Sequence, residues 1–240
     1  MSDSQIQSGS PMLKVEGLAK TFVLHTQNGV RLPVFENVDF AVYAGECVAL
    51  AGPSGAGKST LLRSLYANYM PSAGRILIRH RGAVVDLVAA EPRLQLEIRH
   101  ETIGYVSQFL KVIPRISAEQ LVAEAAIAGG MAPEAALAAA RDLLGRLNLP
   151  ERLWQVPPAT FSGGEQQRVN IARGLIRPFP IVLLDEPTAS LDTANRRVVV
   201  DLINSAKARN AAVIAICHDD DVRDRIADRL LDVSAFKAAA

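Results

Sequence analysis

The residues best placed to do chemistry are Gly52-Pro53-Ser54-Gly55-Ala56-Gly57-Lys58-Ser59-Thr60. Gly52 and Gly57 bracket four residues and are followed at once by a lysine and two hydroxyls. An apolar run, Glu46-Cys-Val-Ala-Leu-Ala51, precedes them and reads as a buried strand, and LLRSLYANY follows with helical spacing. Strand, glycine loop and helix are the context in which a P-loop wraps backbone N–H groups around a nucleotide's β-phosphate. Lys58 would reach the β- and γ-phosphates, Ser59 would ligate Mg²⁺ through its hydroxyl, and Thr60 lies at the helix N-terminus, where the dipole favours an anion. The bland alternative is a glycine-rich turn with an incidental lysine, but motif and context agree on the loop.

Two more apolar runs end in chemistry. Ile181-Val-Leu-Leu-Asp185-Glu186 has the shape of a buried parallel strand delivering two carboxylates to the edge of a sheet. There Asp185 can hold Mg²⁺ and Glu186 can orient or deprotonate a water. Ala211 to Cys217 is a further buried strand, ending at His218; a lone histidine in such a place is structural more often than not. Gln108 ends the short strand from Thr102 and, taken alone, is an ordinary surface amide. Ser162-Gly163-Gly164-Glu165 opens a helix and exposes backbone donors, which by itself is no more than a capped helix start. Phe22 is the one aromatic in the N-terminal strands that could stack on a purine, although a phenylalanine there is more often core.

The elements that must position these groups can be read in outline. Residues 1–11 are rich in Ser, Gln, Gly and Pro and read as a flexible tail. Leu13–Glu16, Lys20–Leu24 and Val34–Val42 alternate like half-buried strands, with a QNGVRLP turn before the last, and Arg75–Arg79 with Ala83–Leu87 reads as a hairpin on the same antiparallel sheet. Glu91–His100 is a short helix or an exposed loop. Ser117 to Leu147 is Ala-rich on helical spacing, broken at Gly129-Gly130 and restarted near Pro133, which predicts two or three helices in a lobe. Trp154 reads as a packing anchor in the connector that follows. Val222 to Leu231 reads as a helix, and the last alanines as frayed.

Composition narrows the classes. The 240 residues are 49% hydrophobic, enough for one large domain with a substantial core. Lys and Arg number 26 against 25 Asp and Glu, a net charge of +1 that gives no reason to expect a nucleic-acid surface. No uncharged apolar run approaches the roughly 20 residues of a membrane span. The start, MSDSQIQSGSP, lacks the basic and apolar regions of a signal peptide. The expectation is a cytoplasmic protein with no membrane insertion of its own. Cys47 and Cys217 lie in apolar runs and read as reduced core thiols.

Together, GPSGAGKST, Gln108, FSGGEQQR, VLLDEPTASLD and His218 resemble the ATP-binding cassette (ABC) ATPase family across nearly the whole chain. The resemblance implies a P-loop α/β fold with a mostly parallel core sheet, an antiparallel β subdomain and a helical subdomain at about 109–165, all within one domain over 12–235. It implies ATP and Mg²⁺, with Gln108 sensing metal and γ-phosphate, Asp185 the metal ligand, Glu186 the catalytic glutamate and His218 the switch histidine. It also makes Phe22 the residue under adenine and places Asp192 in the loop that faces a partner. Ser162, Gly163, Gly164 and Glu165 match the signature segment, which acts on the nucleotide of a second cassette. A head-to-tail dimer follows, with itself or another ABC-type subunit. Phe161 and Glu165 stand where the common signature has Leu and Gln, and Glu165 adds a charge near the anion site. Segments outside the ATP motifs, among them TFVLHTQNGVRLPV, LLRSLYANYM and RHETIGYVSQFLKVIPRIS, are similar to the ABC-type subunit of the carbon-phosphorus lyase assembly for phosphonate use. That implies the lyase core subunits as partners. The alternative is the ATPase of a lipoprotein-release or macrolide-export transporter.

Overall fold

A computed structural model describes residues 9–24, 26 and 29–238. Most of the expected N-terminal tail therefore lies outside the described residues. Strands β1 (Leu13–Leu24) and β2 (Val30–Val42) form a long antiparallel ribbon; β3 (Cys47–Ala51) leads into the glycine loop and α1 (Lys58–Leu65). Then come β4 (Ala73–His80), β5 (Ala83–Asp86), α2 (Pro92–Glu101) and β6 (Ile103–Val106). Helices α3 (Ala118–Ala128) and α4 (Pro133–Arg146) follow, then α5 (Gly163–Leu175), β7 (Ile181–Asp185), α6 (Thr193–Ala208), β8 (Ala212–Ile216), α7 (Asp220–Ile226) and β9 (Arg229–Asp232).

Two sheets result, an antiparallel one in the order β2-β1-β4-β5 and a parallel one in the order β6-β7-β8-β3-β9. The parallel sheet explains the unbroken apolar runs. Alternate residues of each strand enter different cores: Cys47, Val182, Leu184, Val213 and Ala215 pack with the helices of the lobe, whereas Val48, Leu50, Ile181, Leu183, Ala212 and Ile214 pack with α1 and the antiparallel sheet. A strand covered on both faces has no polar period to display.

Three expectations need correction. Leu13–Glu16 and Lys20–Leu24 are one strand, interrupted by register shifts between Val15 and Thr21, and the expected turn residues Val30–Pro33 belong to β2. Pro33 is tolerated because β2 is an edge strand, where a residue without an N–H can face away from the ladder. The C-terminal helix ends at Ile226 rather than Leu231, and Arg229–Asp232 pairs with β3 as an edge strand. Edge strands carry charge to discourage further pairing, which masks their strand pattern. Lys237 bridges to Phe35 and Ala238 is buried, so the chain is docked as far as 238, while the last two alanines lie outside the described residues. Glu91–His100 resolves as helix α2, and Trp154 does anchor the lobe, donating its indole N–H to Leu149 O at 2.9 Å.

Candidate active site

Because β6, β7, β8 and β3 run parallel, their C-terminal ends share one edge, and Gln108, Asp185-Glu186, His218 and the glycine loop leave from it. α1 begins at Lys58 behind Gly57, whose backbone is left-handed at φ 97° and offers no side-chain cap. A Cβ at position 57 would stand 2.8 Å from Val34 Cγ1, so conformation and space both require glycine. The first turn of α1 thus keeps its N–H groups free of side-chain acceptors, as an anion site needs.

Lys58 is 9% exposed, and its ammonium donates to the carbonyls of Gly52 at 2.7 Å and Pro53 at 2.9 Å. These are neutral acceptors, so a phosphate oxygen competes for the ammonium on favourable terms. Ser59 Oγ donates to Asp185 Oδ1 at 3.2 Å. A hydroxyl and a carboxylate oxygen facing each other are the hard donors Mg²⁺ takes, and the pair fits that ion. Asp185 is fully buried, which pushes its carboxyl above the usual range; hydrogen bonds from Tyr105 and Ser59 and the nearby Arg63 charge oppose the rise.

Glu186 is held at both oxygens. Gln108 Nε2 donates to Oε2 at 3.0 Å, and His218 Nε2 lies 2.7 Å from Oε1. The residue itself has φ 54°, uncommon without glycine, and its N–H bonds Ile216 O at 3.1 Å, so the neighbouring strand fixes the turn. Gln108, Lys58, Ser59, Asp185, Glu186 and His218 therefore come together from four separate strand ends.

Other candidates stand apart. Phe22 on β1 meets Tyr69 edge-on at 5.3 Å, with Lys20 Nζ 4.7 Å from its ring centroid. Ser162 caps α5, and Glu165 lies at its third position; the Ser162 N–H and Oγ both donate to Glu165 Oε2 at 2.8 Å, and Glu165 N–H donates back to Ser162 Oγ at 3.4 Å. These bonds hold the Glu165 carboxyl below its ordinary range. Gly164 fits under the loop after β7, where a Cβ would be 2.8 Å from Ser190 O. Asp192 caps α6 by accepting from Asn195 N–H at 2.8 Å. Among the described residues, no hydrogen bond or salt bridge links Phe22, Ser162–Glu165 or Asp192 to the cluster around Lys58.

Four supporting residues escaped the sequence reading. Tyr105 OH donates to Asp185 Oδ2 at 3.1 Å, and burial pushes its phenol up to about 12, with the Asp185 charge adding to the rise. Arg63 Nε lies 4.0 Å from the same oxygen. Asn170 Nδ2 donates to Ser107 O at 2.5 Å, and Gln167 Nε2 to Pro187 O at 3.0 Å, so α5 steadies the backbone beside Gln108 and Glu186. The available signal was buried polarity: a tyrosine inside an apolar strand needs a partner for its hydroxyl, and Gln167 and Asn170 share the inward face of α5 at i,i+3.

A family model described as ABC transporter matches residues 35–189. The chain is 37% identical over 221 residues to the lipoprotein-releasing system ATP-binding protein LolD of Shewanella sp. (strain MR-4), covering 92% of each. It is 35% identical over 215 residues to the macrolide export ATP-binding/permease protein MacB of Marinobacter nauticus, and there spans only 32% of the longer protein. Among solved structures, the dimeric post-hydrolysis state of the ATP-binding cassette MJ0796 bound to ADP and Pi superposes with a TM-score of 0.81 at 28% identity, covering 93% of this chain and 95% of that one.

Proposed function

The chain belongs to the ABC transporter family and is an ATPase of it, and on that footing we propose that it works as one half of a head-to-tail pair of cassettes, closing on ATP with itself or another ABC-type subunit. The observation that carries this is the Glu186 carboxylate, gripped by Gln108 and His218 beside the loop that cradles phosphate. Lys58 exchanges its two carbonyl partners for β- and γ-phosphate oxygens while the open first turn of α1 supplies N–H groups. Ser59 and Asp185 would hold Mg²⁺, with Gln108, whose amide bonds the adjacent Glu186, as a further ligand; when bound, the ion would neutralise charge on the phosphates. Glu186 accepts the proton of the attacking water, and His218 and Gln108 keep its oxygens in register. Phe22 would lie under the adenine. Ser162, Gly163 and Gly164 act on the partner's γ-phosphate, and the Asp192 loop lies between the two chains.

The relatives support a membrane transporter as the assembly served, of the lipoprotein-release or macrolide-export type. Among the described residues no helix is long and apolar enough to cross a membrane, so in this reading a separate chain or segment spans it. A second reading is a PhnL-like ATPase subunit of the carbon-phosphorus lyase assembly, and it rests on the sequence resemblance alone. Segments LLRSLYANYM, RHETIGYVSQFLKVIPRIS and FSGGEQQRVNIARGLI, which carry that resemblance, converge on a groove of about 760 Å³ beside Gln108. Lined by Arg63, Arg99, Lys111, Arg173 and Arg177, it is basic as well as aromatic.

The test is affinity purification of the tagged chain from its own cells, once in detergent and once without, with the captured proteins identified by mass. A membrane permease captured in detergent supports transport. Lyase core subunits captured without it support the second reading and overturn the first.

A further inference from the structure

We infer that Tyr105 is a positioning residue for Asp185: it holds the outer oxygen of that carboxylate so that the inner one stays turned to Ser59. The inference rests on the ATPase reading above and concerns a residue that reading does not use. Asp185 is fully buried at the end of β7, and a buried carboxylate must have its lone pairs met from fixed directions. Its two oxygens divide the work. Oδ1 faces Ser59, on the phosphate side, and Oδ2 faces Tyr105 OH at 3.1 Å with Arg63 Nε at 4.0 Å. With nothing on Oδ2, the carboxylate could rotate and offer either oxygen, or a mixture, to the metal.

Tyr105 suits the task because it cannot drift. It sits on β6, paired residue by residue to β7, and its backbone is in register with Leu183, two residues before Asp185. Its ring lies on Tyr66, with centroids 4.8 Å apart and planes tilted by 31°, and the Arg99 guanidinium covers Tyr66 from 4.4 Å. Arg99, Tyr66 and Tyr105 thus form a stack ending at the metal-ligand candidate. All three, with Arg63, also line the groove beside Gln108.

The experiment measures ADP and Mn²⁺ binding, not turnover, on the full chain and on Tyr105→Phe, which keeps the stacked ring and removes only the hydroxyl. Losing a hydrogen bond that orients a metal ligand typically costs about 10- to 100-fold in metal affinity. Mn²⁺ affinity for the ADP complex, read by electron paramagnetic resonance, should fall by that range, while ADP affinity in EDTA stays within about twofold of the parent. Tyr66→Leu should shift Mn²⁺ affinity the same way and by less. In an Asp185→Asn background, Tyr105→Phe should add no further loss, since its effect passes through that carboxylate.

An unchanged Mn²⁺ affinity in Tyr105→Phe overturns the inference while leaving the ATPase reading intact. Equal losses with and without metal, or a drop in melting temperature alone, make Tyr105 a packing residue and overturn it as well. If the parent chain binds no ADP in either condition, the ATPase reading falls and takes the inference with it.

Discussion

Two helix starts in this molecule look alike in sequence and differ in how they are finished. Both α1 and α5 follow a stretch of small residues, and each is proposed to meet a phosphate. α1 has a left-handed glycine at its N-cap and no side-chain acceptor, and the charged groups around it are bonded to residues from distant strands: Ser59 to Asp185, Gln108 and His218 to Glu186. α5 has a complete capping box, in which Ser162 and Glu165, three residues apart, satisfy one another. One start is left open and needs a ligand to finish it; the other is finished by itself and must give up an internal bond to take one. The difference is consistent with the proposal that α1 meets its own chain's nucleotide and α5 a partner's.

Breaking the open end should have the largest effect. Lys58→Ala removes the side-chain cation bonded into the loop, and backbone N–H groups carry only partial charge. Productive ATP binding should vanish, with the circular dichroism of the parent retained. Unchanged ATP affinity in the folded variant would remove the basis of the whole comparison.

Next comes Glu186→Gln, which keeps the shape of the side chain but cannot accept a proton from water. Turnover should fall about 10²- to 10⁴-fold, the usual worth of a general base. Because Asp185 and Lys58 are untouched, binding persists, and light scattering should show an ATP-dependent dimer that the parent passes through too quickly to display. Hydrolysis at the parental rate would make Glu186 structural and move the search for the base to His218, 2.7 Å away.

How much of this was legible in the sequence differs between the two ends. The open end was legible because its chemistry is local: Gly52–Thr60 and Ile181–Glu186 each carry motif and strand in one stretch. What holds Asp185 was not, because Tyr105 and Arg63 reach it across 80 and 122 positions and each looks ordinary in its own segment. Edge strands misled for the opposite reason. Arg229–Asp232 has helical-looking charge spacing next to α7, and only the vacant edge of β3 makes it a strand. Glu165, which on sequence was a charge of unknown effect near an anion site, proves to be half of a cap.

The self-finished end should separate affinity from assembly. Ser162→Arg puts a large cation where the partner's phosphate is proposed to dock, far in bonding terms from Lys58. ATP affinity of the single chain should stay within about twofold, since no part of the open site changes, while the ATP-dependent dimer of a Ser162→Arg, Glu186→Gln double variant should disappear. A double variant that still dimerises would refute the assignment of Ser162 to the partner's nucleotide.

The smallest effect, and the finest test, is Glu165→Gln, for which the molecule holds its own control. The N-terminus of α3 has the same box built with an amide, Ser117 N–H donating to Gln120 Oε1 at 3.2 Å and Gln120 N–H to Ser117 Oγ at 3.3 Å, so glutamine is competent at this position. What the carboxylate adds is charge at a helix N-terminus, worth about 0.3–1 kcal/mol and, at an exposed site, toward the low end. The sign with pH follows from the direction of the shift. Glu165 is held below its ordinary range by the Ser162 hydroxyl and N–H, so its contribution is present above the unfolded value of 4.5 and fades as pH falls through the lower folded one. The parent should therefore melt slightly above Glu165→Gln at pH 7, and the two should begin to converge only as the solution is acidified below 4.5; curves that diverge toward acid would contradict the cap. In the dimer the order reverses. An amide grips the Ser162 hydroxyl less tightly than a carboxylate and places no negative charge beside an incoming phosphate, so in the Glu186→Gln background Glu165→Gln should lower the ATP concentration at which half the chains are paired. Such a charge would set α5 apart from α1, whose N-cap glycine makes no side-chain cap bond for a ligand to displace.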